Sequence, residues 1–178
     1  GYSVHKAFDE YGGKFSGSGP KPPAGKRFNY FLPDVPWTGT QTDWGAFPER
    51  DDEMPDHKAA DWAVERLAEK SQKPFFLAVG FVRPHVPFYV PQKWFDLFPL
   101  DDVQLPPVRS DDLRDVPEIS RRIHELPKYP KLAFLQKNDN EQFRKCVQSY
   151  LACVAFVDHQ VGRVIDALEK GPHANDTV

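Results

Sequence analysis

Phe75-Phe76-Leu77-Ala78-Val79-Gly80-Phe81 is an uninterrupted apolar run, opened by Pro74 and followed by Val82-Arg83-Pro84-His85-Val86-Pro87. A run that is apolar on both alternating faces predicts a strand covered on both sides, as in a parallel sheet. Pro84 and Pro87 cannot donate to a ladder, so the strand is expected to end near Phe81 or Val82. Arg83 and His85 then fall in the loop beyond the strand's carboxyl end, the edge at which open α/β sheets bind ligands. Without further support, a lone histidine in a proline-rich loop reads as a solvated or capping residue.

The chain has 178 residues, 40% of them hydrophobic and 13% aromatic, which predicts one folded domain with a substantial core. Its 23 Lys and Arg against 26 Asp and Glu give a formal charge of -3. No large basic field results, which argues against nucleic acid as the main partner. The 18 prolines cluster in the first third and between Pro84 and Pro130, and they predict long irregular segments. There is no run of 18 apolar residues and no signal peptide, so no membrane association is expected. Gly1 in place of methionine reads as an internal start. Cys146 and Cys153 lie seven residues apart in a helical pattern. That spacing is about 10.5 Å of axial rise, beyond the reach of a disulfide; both read as small core residues.

Along the chain, residues 1–55 show no helical or strand period and read as a long ordered loop carrying Phe28, Tyr30, Phe31, Trp37, Trp44 and Phe47. A helix is expected from Asp56, a plausible N-cap by residue type, to about Ser71, with Ala60, Ala63, Val64 and Leu67 as its apolar stripe. Helix followed by strand is half of a crossover unit, and residues 1–55 hold no good candidate for an earlier parallel strand. A short helix is expected over residues 91–98, burying Trp94, Phe95 and Phe98, with Pro91 in its first turn. Residues 99–137 read as a proline-rich insertion with scattered turns. The longest helix is expected from a cap at Asn138 or Asp139 to Lys170, with Phe143, Val147, Tyr150, Leu151, Val154, Val157, Val161, Val164, Ile165 and Leu168 as its periodic apolar set. Gly171 is the expected C′ residue and Pro172 prevents continuation.

The chain has no Gly-rich phosphate loop, His-Glu-x-x-His helix or Cys-x-x-Cys pair. His5, His57, His85, His124, His159 and His173 do not fall at metal-ligand spacing, so no metal ligand is assigned. Asp158-His159 reads as solvent-facing or packing. Asp51-Asp52-Glu53 and Asp101-Asp102 read as surface acidity before cation sites. Asn175-Asp176-Thr177 is a glycosylation sequon.

Lys73-Pro74-Phe75-Phe76-Leu77-Ala78-Val79-Gly80-Phe81, with Arg83-Pro84-His85-Val86-Pro87-Phe88, resembles the central part of a sulfatase, closest to the iduronate 2-sulfatase-like branch. Tyr150-Leu151-Ala152-Cys153-Val154-Ala155-Phe156-Val157-Asp158, with Gln160-Val161-Gly162-Arg163, carries the same resemblance. The resemblance implies an α/β, alkaline phosphatase-like domain with a mostly parallel central sheet, incomplete in this chain. Residues 1–178 would form a single partial catalytic domain: loop region 1–55, helix-strand-active-site loop 56–98, insertion 99–137 and long helix 138–170. It implies hydrolysis of sulfate esters, on a sulfated small molecule or glycan, by a formylglycine nucleophile beside calcium. Formylglycine arises from a Cys/Ser-x-Pro-x-Arg motif, which this chain lacks, and no residue here is assigned to either cofactor. His85 matches the family's catalytic, substrate-side histidine, and Arg83 stands at a substrate-binding position where some relatives carry lysine. The remainder of the sulfatase domain would be the main partner, and the location periplasmic, secreted or lysosomal. A phosphodiesterase or phosphonate hydrolase of the same superfamily, and a non-catalytic binding module, are the alternatives.

Overall fold

A computed structural model describes residues 8–12, 17, 19–23, 43–107, 109, 111–124 and 139–178. Its longest element is a helix over Asn140–Lys170, here α4, and most of the other described elements pack along it. Asp139 caps it, its side chain accepting from Gln142 N at 3.1 Å, as its residue type predicts. Asn138 lies outside the described residues. At the other end Gly171 closes α4, with its N–H donating to Leu168 O at 3.1 Å. Its φ of −92° needs no glycine. What does is space: a Cβ there would stand 2.5 Å from Ala167 O and 3.3 Å from Leu67 O.

The helix α1 spans Pro55–Ala68 and packs mainly on α4. Ala60, Ala63 and Leu67 are buried as expected, whereas Val64 is half-buried. It ends three residues before Ser71, and Met54 rather than Asp56 is the N-cap, with Pro55 in the first helical position. The two helices are also joined by polar side chains. Arg163 on α4 donates to Gln160 Oε1 at 2.8 Å and to the Asp61 carboxylate, and contacts His57 Nδ1 at 3.2 Å. A guanidinium only donates, so His57 Nδ1 accepts and its Nε2 carries the proton, 3.5 Å from Asp61 Oδ2.

The described sheet is small and was not expected where it lies. Trp44–Ala46 forms β1 and Phe88–Val90 forms β2, paired in parallel with Gly45 opposite Tyr89. A strand, β1, does lie inside the expected loop, but its parallel partner is β2 and not the apolar run at residues 75–81. Three residues with a glycine in the middle carry no alternation to detect. Helix α2, Gln92–Phe95, buries Trp94 and Phe95 with Pro91 as its cap; Phe98 is only half-buried. Trp94 is T-stacked on Phe156 at 5.7 Å, in a core with Met54, Val90, Ala152 and Cys153. A second core joins Trp44 to Phe143 and Cys146. Within the insertion, Glu118–His124 forms α3, a helix the turn-rich reading did not foresee, with Glu118 paired to Arg121 and Arg122.

The apolar run forms no strand among the described residues: residues 74–82 have no ladder partner. Pairing defines a strand, and β1 and β2 pair only with each other. Yet side-chain burial alternates along the run. Leu77, Val79 and Phe81 are half-buried, while Phe76 (80%), Ala78 and Gly80 are exposed. That period of two is what a strand shows with one face covered.

Candidate functional site

The loop after the apolar run is built on two buried charges. Asp56, second residue of α1 and 2% exposed, turns its carboxylate away from its own helix. Its Oδ1 accepts from Val82 N at 2.7 Å and its Oδ2 from Arg83 N at 3.0 Å. Arg83, 4% exposed, sends its side chain inward. Its Nε donates to Tyr89 O at 3.0 Å and its Nη1 to His85 O at 2.9 Å. Burial pushes the Arg83 guanidinium below its ordinary value, and the nearby charge of Asp56 opposes that shift. Tyr89 continues the network, its hydroxyl donating to buried Asp43.

His85 is presented by this frame and is exposed. Its N–H donates to Val82 O at 2.9 Å, closing a turn. Its ring Nδ1 lies 2.7 Å from Val86 O. A carbonyl oxygen only accepts, so Nδ1 carries a proton and Nε2 is the ring atom left to meet a ligand. The Arg83–Pro84 and Val86–Pro87 peptides on either side are cis.

His85 and Arg83, adjacent in sequence pattern, thus have different surroundings: one side chain outward, the other among backbone carbonyls. Residue types alone did not reveal Asp56, Tyr89 and Asp43 as the loop's supports. Asp56 looked like a helix cap, and the distant Asp43–Tyr89 pair has no sequence spacing. The acidic cluster at residues 51–53 has basic and polar partners. Asp51 accepts from Trp94 Nε1 at 2.9 Å and meets Lys93 at 2.6 Å, and Asp52 pairs with Arg50 at 2.9 Å. His159 lies against Trp94 with ring centroids 5.3 Å apart.

No group of three or more His, Cys, Asp or Glu among the described residues could hold a metal ion. Cys146 and Cys153 are free thiols buried in α4. Burial pushes both up to about 12, with the Arg83 charge pulling Cys153 the other way. The described residues therefore do not fit a calcium site, and neither cysteine stands in the Cys-x-Pro-x-Arg motif that a formylglycine needs.

The sulfatase family profile matches residues 1–178. A sulfatase of Formosa agariphila is 48% identical over 99% of this chain and 35% of its own length. Human iduronate 2-sulfatase is 31% identical over 70% of the chain and 24% of its own length. A choline-sulfatase of Rhizobium meliloti is 27% identical over 62% of the chain and 21% of its own. The chain spans about a third of the first of these relatives (35%) and less of the others.

Proposed function

Because the chain belongs to the sulfatase family, we propose that it is the central part of a sulfuric ester hydrolase in which His85 contacts the sulfate ester. The carrying observation is the fixed presentation of His85, an exposed residue whose Nδ1 is committed to Val86 O at 2.7 Å. Hydrolysis of a sulfate ester breaks the bond between sulfur and the ester oxygen, and negative charge develops on the departing oxygen. In the imidazolium form, Nε2–H donates to that oxygen or to a sulfate oxygen, and such a donor lowers the barrier only if already aimed. Calcium and formylglycine, which the family resemblance implies, would come from residues outside these 178. The likeness to iduronate 2-sulfatase supports a sulfated sugar as substrate.

The test is steady-state kinetics on the longer polypeptide with an aryl sulfate and with sulfated saccharides. His85→Ala is expected to lower kcat/KM by about 100-fold or more with the melting temperature nearly unchanged, because His85 is exposed. Near-normal kinetics, or a melting loss large enough to explain the lost rate, would remove His85 from the site. Turnover of phosphate esters in preference to sulfate esters would replace the proposed chemistry with phosphoryl transfer.

A further inference from the structure

We propose that Asp56 is a positioning residue for His85, acting through the backbone of residues 82 and 83 and through Arg83; this rests on the reading of His85 above. The two oxygens of one carboxylate hold two consecutive N–H groups, at 2.7 and 3.0 Å. A bidentate grip of that kind fixes the two peptide groups on either side of Val82, the second of which carries Val82 O and Arg83 N. Both bonds are charge-assisted, and the amino-terminal turn of α1 adds a favourable dipole for the carboxylate.

The anchor reaches His85 by two routes. Val82, whose N–H is held by Asp56, accepts from His85 N at 2.9 Å. Arg83, whose N–H is also held, donates through its side chain to His85 O at 2.9 Å. The peptide groups on both sides of His85 are therefore tied to one buried carboxylate, and the ring is tied to the next carbonyl. Asp56 sits 29 positions before His85 in the chain and its carboxylate is hydrogen-bonded to Val82 and Arg83, so its effect on chemistry runs through them. A displacement of about 1 Å in a reacting group can cost about 100-fold in rate.

A double-mutant cycle on the complete enzyme, read as kcat and KM with a chromogenic aryl sulfate, tests this. Asp56→Ala is expected to lower kcat/KM by roughly 10- to 100-fold in the wild-type background. In the His85→Ala background the same change should cost less than about two-fold, because the group being positioned is gone. Asp56→Asn, which keeps one acceptor oxygen, should fall between, and it carries the same cycle if Asp56→Ala does not fold. An equal cost in both backgrounds identifies Asp56 as support of the fold alone and overturns the proposal, as does an Asp56→Ala enzyme of normal rate. Normal kinetics for His85→Ala sink the reading of His85 itself, and the present proposal with it.

Discussion

Burial pushes the thiols of Cys146 and Cys153 from an ordinary 9.0 up to about 12. Both thiols therefore stay protonated in the fold at pH 8 to 9, whereas those of the unfolded chain begin to ionise. Alkylation by iodoacetamide at pH 8.5 should be slower by at least about 10-fold in the folded protein than in denaturant, as read by mass spectrometry. The sign follows for stability too: it is fully present below about 9, and it declines between 9 and about 12 as the unfolded state loses protons that the fold retains. Equal labelling with and without denaturant would show that these thiols are not buried. At this scale the sequence was partly legible. The cysteines read as core residues from their helical spacing, and His85 stood out through its motif. Asp56 did not, because a first-turn aspartate is common as a helix cap, and nothing local reveals that its oxygens turn to a loop 26 residues on.

Helix α4 was legible from periodicity and capping and α1 from periodicity alone, whereas β1 and β2, three residues each, were not legible. The buried face of α4 was legible only in part. Of the large apolar side chains expected to mark it, Phe143 is buried, and the fold otherwise buries Cys146, Ser149, Ala152, Cys153, Phe156 and Gln160. Close packing against neighbouring elements admits small side chains at Cys146, Ser149, Ala152 and Cys153, between the larger Phe143 and Phe156. Tyr150, Val154, Val161 and Ile165 remain exposed on α4. The junction of α1 with α4 is tight at Gly171, and Gly171→Ala should lower stability by about 1–3 kcal/mol through overpacking. Urea unfolding of the longer polypeptide would read this as a lower midpoint. An unchanged midpoint would mean that the backbone around Ala167 and Leu67 yields without cost. A left-handed glycine cap, as the sequence suggested, would penalise alanine for conformational reasons; at φ −92° only the contact remains.

At the scale of the whole molecule, two apolar surfaces stand exposed among the described residues. One is the outer side of residues 74–82, with Phe75 half exposed and Phe76 at 80%, and with the alternation of a strand that lacks ladder partners. The other is the stripe of Tyr150, Val154, Val161 and Ile165 on α4. An extended segment with exposed phenylalanines and no ladder partner among the described residues is a template for pairing with another chain. The isolated polypeptide should therefore self-associate at micromolar concentration and bind an apolar dye, and it should turn over no aryl sulfate. The same segment within the longer polypeptide should do neither of the first two. Sedimentation velocity and dye fluorescence on both proteins make the comparison. A soluble monomer of the isolated chain with one cooperative melting transition would mean that these faces need no cover. In that case the alternation along residues 76–81 would reflect packing on α1 and α4 alone, and the run would not be an interior strand of a larger parallel sheet.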